Sequence, residues 1–539
     1  MENGFQLVLP LDCTVNIPED HPVRLLNAVM ERLDYSKLNA AYSRLGRIEY
    51  PPKILAKILV YGYMRQETSS RVLEACCREN INYMYLLEGQ RAPDHNTINR
   101  FRNKVLNSEA GEDLLTQLAM LIHENGLLSF EACFIDGTKI EANANKYSFV
   151  WKKGTEKQLK KLYEKIHEEL PERLKNIGIS FDVPEQIQIS QLEQLEKQIK
   201  AEMDENGIQI VTGKGKHKSE LQRVYEKVLN WIERLKKYLN NITICGDRNS
   251  FSKTDQDATF MRMKEDHMLN GQLKPGYNVN VATCSEFIIG NYISSDRNDV
   301  HTLIPFVTKL DGMYEPHNVT IGSYTADSGY ESEENYCWFE DNKPNTELYI
   351  KPLNYEVKKH KKYRTDISRR ENMKYDPEKD TYTCANGKEL KATHEKHSKS
   401  ASTGIELTTT VYECSECSGC PLKEKCIRSC GSKKSLDERH KVLYVSKRFA
   451  RQREAMEEKM STEEGKLHRI NRTIQAEGTF AYTKEDLGIR RFSLRGKENV
   501  AAEWNLFSLA LNVLRLHHKI QKNRLGAGLV VPYNFPAGL

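Results

Sequence analysis

Three carboxylates in this sequence have the type and placement to do chemistry together. Asp136 ends the apolar run Ala132-Cys-Phe-Ile-Asp136, and Asp327 ends Asn318-Val-Thr-Ile-Gly-Ser-Tyr-Thr-Ala-Asp327. Side chains at such strand ends project into the crevice where α/β sheets place their ligands. Glu477 is the third. Ser461-Thr-Glu-Glu464 reads as a capping box starting a helix that runs toward Tyr482. On that helix Ile470, Ile474, Glu477, Ala481 and Lys484 recur at three- and four-residue steps, which predicts one shared packing face. A carboxylate on a packing face is costly unless it is paired or holds a cation. The plainer alternative is a buried contact between Glu477 and Lys484. Asp136, Asp327 and Glu477 gathered together would suit hard cations that take oxygen ligands, Mg²⁺ or Mn²⁺. Two such ions about 4 Å apart activate an attacking oxygen and stabilise the leaving oxygen in phosphodiester displacement, with no protein nucleophile.

A second cluster is made of thiols. Six of the 13 cysteines fall between Cys384 and Cys430, spaced Cys414-x2-Cys417-x2-Cys420-x5-Cys426-x3-Cys430, with Cys384 in a Tyr-Thr-Cys-Ala-Asn-Gly turn. Met1 to Cys13 lacks a basic flank followed by an apolar segment, so no secretory signal is expected. In such a chain clustered cysteines read as metal ligands before disulfides. Cys384, Cys417, Cys420 and Cys426 are the expected ligands of a structural zinc ion, with reduced free thiols as the other reading.

These groups need elements to hold them. In the first 130 residues, Ile54, Ile58 and Tyr61 repeat at helical spacing; Ser69 and Ser70 can cap a run from Arg71 to Glu79; Asp94 can cap a helix through Asn103. Short helices ending in Asn96, Asn99, Arg100, Arg102 and Asn103 are consistent with a helix-turn-helix-like DNA-binding unit, or with an ordinary helical packing domain. From Trp151 to Asn241 the near-heptad series Leu192, Leu195, Ile199 and Val224, Val228, Trp231, Leu235 predicts an antiparallel helical hairpin. Tyr277-Asn-Val-Asn-Val-Ala282 alternates and Glu286 to Ser294 follows, which predicts a β-hairpin. A helix at His301 to Leu310, the Asp327 strand, a helix at Glu331 to Phe339 and a strand Glu347-Leu-Tyr-Ile-Lys351 complete a mixed α/β sheet.

Composition sets the outer limits. The chain has 539 residues, 39% hydrophobic and 29% charged, enough for sizeable cores and several domains, and incompatible with global disorder. No run approaches the roughly 18 to 20 apolar residues that cross a bilayer, so no membrane association and a cytoplasmic home are expected. The net charge of +5 hides its distribution. Residues 1–130 hold 14 basic and 16 acidic residues, whereas Lys351 to Asp376 hold 9 against 4 and Arg439 to Arg524 hold 19 against 10. The basic third is either a solvated surface or a track for a polyanion.

With those residues in place the chain resembles the RNase H-like DDE transposases, and within them an insertion-sequence transposase of the IS1182 group in the broader IS4-like set. The resemblance is carried by Tyr50-Pro-Pro-Lys-Ile-Leu, Ser69-Ser-Arg71, Pro93-Asp-His-Asn-Thr-Ile98 and Arg100-Phe-Arg102 near the amino terminus. It continues through Asp136-Gly-Thr-Lys139 with Ala142-Asn-Ala-Asn145, Ala326-Asp-Ser-Gly-Tyr330 and Glu477-x6-Lys484. It implies a metal-binding triad of Asp136, Asp327 and Glu477 serving two Mg²⁺ or Mn²⁺ ions, and DNA contacts at Lys484, with Arg490, Arg491, Arg495, Arg100 and Arg102 expected beside it. The broader pattern places Tyr and Arg seven and four residues before the glutamate; here Ile470 and Thr473 stand there, with Arg469 and Arg472 nearby but out of phase.

The resulting expectation is a bacterial, nucleoid-associated enzyme of DNA transposition and recombination. It would bind the terminal inverted repeats of an insertion sequence, cleave the ends and join them to target DNA as a homodimer. A catalytically inactive transposase-derived DNA-binding protein, or an RNase H-like nuclease without strand transfer, are the competing readings. The expected architecture is a helical DNA-binding domain (1–129), an RNase H-like core (130–150 and 242–355), a helical hairpin insertion (151–241), a basic Cys-rich insertion (356–445), core helices carrying the glutamate (446–525) and a tail (526–539).

Overall fold

The computed structural model describes residues 16–40, 50–184, 187–213, 217–263, 271–427, 434–526 and 529. Cys430, and the 527–539 part of the expected tail apart from residue 529, lie outside the described residues.

The central sheet has six strands. In chain order they are Ala132–Glu141, Thr259–Arg262, Leu273–Cys284, Phe287–Ser294, Ser323–Ala326 and Glu347–Ile350. Leu273–Cys284 lies antiparallel to Ala132–Glu141 on one side and to Phe287–Ser294 on the other, while Ser323–Ala326 runs parallel to both Ala132–Glu141 and Glu347–Ile350. Branched residues suit the pleated, buried setting: Val279, Val281, Ile288 and Ile289 are fully enclosed. The expected hairpin therefore exists, and its turn is Ser285 (φ 50°) and Glu286 (φ 73°). A two-residue turn with both φ positive matches the twist of the flanking strands. It is held from outside, because the Glu286 N–H donates to Gln475 Oε1 at 2.9 Å and the Ser129 N–H to Ser285 Oγ at 3.0 Å.

The carboxyl-terminal helix Lys497–Gln521 is apolar almost all round and lies in the middle of the molecule, with Val500, Trp504, Leu506, Phe507, Leu509 and Val513 all buried. Two asparagines fix its register. Asn512 exchanges hydrogen bonds with the Ile288 backbone (2.7 and 2.8 Å), and Asn505 Nδ2 donates to Ser108 O (2.9 Å) while its Oδ1 accepts from Asn291 (2.7 Å). The helix thus joins the sheet to the amino-terminal helices, and one hydrophobic core runs from Ile17 to Leu516. In the amino-terminal part the expected helices occur at Pro52–Met64, Ser70–Glu79 and His95–Arg100, the last continuing as a π-helical turn through Val105. Asp94 caps as expected, accepting from the Thr97 N–H at 2.7 Å, whereas Ser69 occupies its cap position without a side-chain bond.

Two segments depart from expectation. Residues 151–241 form three helices rather than a two-armed hairpin: Lys152–Asn176, Ile189–Glu205 and Glu220–Cys245. They close a core of their own in which Leu192, Leu195, Ile199, Val224, Val228, Trp231 and Leu235 all take part. The additional helix is Lys152–Asn176, where Leu162, Ile166, Leu170 and Leu174 supply a further apolar stripe that the heptad series alone did not count. The Cys-rich segment contains a five-stranded antiparallel sheet: Lys374–Asp376, Thr381–Thr383, Glu389–Lys399, Glu406–Glu413 and Val442–Val445. Glu389–Lys399 buries only Leu390, so it lacks the alternation that announces a strand. The tip between its two longest strands docks on the helix Glu333–Asn342: Ser400, Ser402 and Thr403 hydroxyls all donate to Glu334 Oε1 at 2.6 to 2.9 Å.

Candidate active site

Asp136 and Asp327 are brought side by side by strand register. Phe134 and Thr325 are bridged partners on neighbouring parallel strands, and two residues further along each chain stand the aspartates, on the same face. Asp136 is 5% exposed. Asp327 leaves the sheet in an extended conformation and its Oδ1 accepts the Gly329 N–H at 2.7 Å, which turns the chain into the 3₁₀ helix Ser328–Tyr330.

The helix Glu463–Arg472 lies over that face and runs along it. Thr462, one residue after the expected Ser461, caps it by accepting from the Gly465 N–H at 3.0 Å. His468 marks the lower step: its ring stacks on Tyr349 at 4.0 Å, and its Nδ1 is 2.9 Å from Thr325 Oγ1. One turn later Arg472 reaches Asp136, with Nη1 3.4 Å from Oδ1, and the same guanidinium pairs with Glu477. A single arginine thus links Glu477 to Asp136, which lies within the strand Ala132–Glu141 and not, as expected, at its end.

Its phase differs from the expected one. Glu477 is 45% exposed at its side chain and Ile474 is 41% exposed, so these two do not lie on a packing face, whereas Lys484, expected to share their face, is buried. The buried face is Leu467, His468, Asn471, Gln475, Ala476, Thr479, Phe480 and Thr483. The cause is a π-helical turn at Thr473–Glu477, followed by another at Tyr482–Asp486. In an α-helix, residues five apart stand about 140° from each other around the axis. The residue added by a π turn brings them to one side, as residues four apart are in an α-helix. Arg472, out of phase by counting, is in phase with Glu477 in space.

Behind the aspartates is a polar layer that the sequence reading missed. Asn278 Nδ2 donates to Asp299 Oδ1 at 2.6 Å, and the Thr302 and Tyr330 hydroxyls both donate to Asn280 Oδ1, at 2.8 and 2.6 Å. Gly137 and Gly329 make room for it: a Cβ on Gly137 would stand 2.9 Å from Asp299 Oδ1, and one on Gly329 3.1 Å from Asp299 Oδ2. Burial, then the charges of Asp299, Asp136 and Asp327, hold the Tyr330 phenol well above its ordinary pKa, so it stays a neutral donor. The signal was present, since Asn278 and Asn280 alternate with Val279 and Val281, and both asparagines are fully buried.

The basic residues divide by exposure. Arg100, Arg490, Arg491 and Arg495 are exposed. Arg491 and Arg495 donate to the carbonyls of Ala144 (3.3 Å) and Asn143 (2.8 Å), and so tie the 490–496 loop to the end of the Asp136 strand, while Arg490 pairs with Glu485 at 2.9 Å. Arg102 points inward: it is 7% exposed and donates to Thr68 O at 2.7 Å, bracing the start of the helix Ser70–Glu79. Lys484 is likewise only 7% exposed.

Cys384, Cys414, Cys417, Cys420 and Cys426 line one small cavity of about 20 Å³, and all are free thiols. Burial, with Cys417 alongside, pushes the Cys414 thiol up to about 11, and burial followed by the neighbouring cysteines raises that of Cys426. Among the described residues no three His, Cys, Asp or Glu side chains converge closely enough to hold a metal ion, and at the carboxylate site the place between Asp136 and Glu477 is taken by the Arg472 guanidinium. The donors are nonetheless hard oxygens already arranged around one shared cation, the chemistry a divalent ion requires.

His468 gives a test of the joint between helix and sheet. Burial lowers its pKa below the usual 6.5, so the folded protein keeps it neutral while the unfolded chain takes a proton. Its contribution is complete above pH 6.5 and is lost as pH falls below that value. Urea midpoints measured from pH 8 to 5.5 are expected to fall less in His468→Gln than in the wild type.

Two segments match known family models. Residues 383–517 match the family described as a Transposase DDE domain, and residues 12–104 match the Transposase domain (DUF772). No curated protein and no solved structure matches the chain. The two matches indicate a transposase of the IS4/IS5/IS1182 type. The first covers the last three strands of the Cys-rich sheet, Glu477 and most of the buried carboxyl-terminal helix; Asp136 and Asp327 lie outside both. No helix among the described residues is long and apolar enough to cross a membrane.

Proposed function

We propose that the chain is an RNase H-like DDE transposase of the IS1182 group, which cleaves the terminal inverted repeats of its element and joins them to target DNA. The observation that carries this reading is the Arg472 guanidinium shared by Asp136 and Glu477, with Asp327 beside Asp136 on the next parallel strand. Asp136, Asp327 and Glu477 are the groups that would hold Mg²⁺ or Mn²⁺. Such ions, when bound, supply charge stabilisation at the scissile phosphate and lower the pKa of an attacking oxygen. The chain's own part is positional. The strands fix Asp136 within Ala132–Glu141 and Asp327 just beyond Ser323–Ala326, Tyr330 and Asp299 support them from behind, and the half-exposed Glu477 closes the site on the open side, where a duplex end has access. Two ends to be cut and joined call for two such sites, hence a homodimer on DNA.

The exposed Arg490, Arg491 and Arg495, with Arg100 on the amino-terminal helices, are proposed to meet phosphates; Lys484 and Arg102, being buried, would act by positioning. If four or more phosphates are neutralised, log affinity for end DNA falls against log salt with a slope of about −3.6 or steeper. A flat slope in a filter-binding series would remove the phosphate track.

Cys384, Cys417, Cys420 and Cys426 are proposed as ligands of a structural zinc ion, with Cys414 lining the same cavity. Reduced, metal-replete protein is expected to contain one zinc per chain by elemental analysis, and Cys417→Ser to contain none. The functional experiment is incubation of the full chain with end-bearing DNA, Mg²⁺ and a target plasmid. Cleavage with joined products supports transposition, cleavage without joining supports a nuclease, and binding without cleavage supports an inactive descendant.

A further inference from the structure

The surface that follows the Asp136 strand carries aromatic rings in contact with solvent. That strand ends at Glu141, and the chain then passes through Asn145-Lys-Tyr-Ser-Phe-Val-Trp-Lys-Lys153. Tyr147 is 72% exposed and Phe149 47%. Neighbouring exposed apolar groups of this size mark a surface that meets a partner. We infer that Tyr147 and Phe149 form a stacking platform for the unpaired bases of a single DNA strand, with the surrounding lysines taking its phosphates. The inference rests on the DNA reading above and gives it a surface separate from the carboxylates.

Three observations support it. First, the rings are held before any base arrives. Phe149 and Trp151 share one side of the short strand Phe149–Trp151, which pairs with Ser250–Ser252, and both rings pack on the buried Phe260, with centroids 5.9 and 6.2 Å away. The Tyr147 N–H donates to Asn145 Oδ1 at 2.9 Å, and Ser148 Oγ lies 2.9 Å from both Ser252 Oγ and Thr254 Oγ1, so the chain leading into the strand is fixed as well. Groups ordered in advance lose little freedom on binding. Second, the charge around them has one sign. Residues 142–155 hold Lys146, Lys152 and Lys153 and no acid, and residues 248–254 hold Arg248 and Lys253 and no acid. Lys146, Lys153 and Lys253 are exposed, and Lys146 Nζ stands over the Tyr147 ring at 5.1 Å, so a ring and a cation are offered together. A second copy of the chain docked here about a two-fold axis would set these cations against one another, whereas a nucleic-acid strand neutralises them. Third, the patch adjoins the loop whose arginines are proposed to meet phosphates: Arg495 and Arg491 donate to the carbonyls of Asn143 and Ala144, and Asn143 Nδ2 donates to Ser493 O at 2.6 Å. Bases in a duplex are already stacked on each other, so exposed rings favour a strand whose bases are free.

The test is fluorescence anisotropy of the full chain with a labelled oligothymidylate about 15 nucleotides long and, separately, with end-bearing duplex. Tyr147→Ala and Phe149→Ala are each expected to weaken oligothymidylate binding about tenfold and to leave duplex binding unchanged. Tyr147→Phe keeps the ring and is expected to bind as the wild type does. Wild-type affinity for oligothymidylate in Tyr147→Ala, or equal losses on both DNAs, would overturn the platform. Because Phe149 touches Phe260, Tyr147→Ala decides alone should Phe149→Ala not fold. Duplex binding by a wild type that ignores oligothymidylate would overturn the platform and leave the transposase reading standing, whereas binding of neither DNA would overturn both. Dissociation of a dimer by Tyr147→Ala in sedimentation, with oligothymidylate affinity unchanged, would make the patch a contact between copies and overturn the inference.

Discussion

Asp136→Asn is expected to cut the rate of end cleavage by about 10³-fold, the scale seen when one preorganised electrostatic contact to the reacting centre is removed. The substitution keeps volume and shape, so the strand Ala132–Glu141 keeps its register with Leu273–Cys284 and Ser323–Ala326. What is lost is a charge that is 5% exposed and cannot be replaced by water from the surface. Arg472 would then keep its ion pair with Glu477. Single-turnover cleavage of labelled end DNA measures the effect, with circular dichroism confirming the fold. A rate within tenfold of the wild type would mean that Asp136 is not part of the chemistry.

Trp504→Ala is expected to have the largest effect on stability, a loss of about 3–5 kcal/mol. Trp504 is 1% exposed on the helix that joins the sheet to the amino-terminal helices, and its ring meets Phe507 at 4.9 Å, Phe492 at 6.2 Å and Phe480 at 6.4 Å. Its indole nitrogen has no hydrogen-bond partner among the described residues, so the loss is one of packing. Phe480 follows Glu477 on the glutamate helix and Phe492 lies in the loop anchored by Arg491 and Arg495, so the cavity would open directly behind the site. Urea unfolding followed by far-ultraviolet circular dichroism measures it. The three-helix segment has a separate core and is expected to keep its own transition. A shift below 1 kcal/mol would show that the core does not depend on this residue.

Much of the sheet was legible because its strands are written as local runs. The alternation at Tyr277 to Ala282 and the apolar approach to Asp136 and Asp327 each depend on neighbours within a few residues, and those strands occur, although the Asp136 strand runs on to Glu141. The Glu477 helix was legible as an element but not in its phase. Counting at 3.6 residues per turn put Glu477 and Lys484 on a packing face, whereas two π turns expose the first and bury the second. A π turn depends on what the helix packs against, here the Gln475 contact to the Glu286 backbone, which is a tertiary fact. Asp299 was missed for a similar reason. It lies in a loop far in sequence from the glycines that accommodate it, and only the buried Asn278 and Asn280 hinted that a polar partner was needed. The Cys-rich sheet was hidden because its longest strand is nearly all exposed.

The most direct test of the central claim is Mg²⁺-dependent cleavage and joining of end-bearing DNA by the wild type and by Asp136→Asn, Asp327→Asn and Glu477→Gln, each assayed as the full chain. A shared site predicts that the wild type yields nicked ends and joined products, and that each single substitution abolishes both to a similar degree, with the triple variant no worse. Full cleavage by any one of the three, or losses that multiply in the triple variant, would show that these carboxylates do not act as one site.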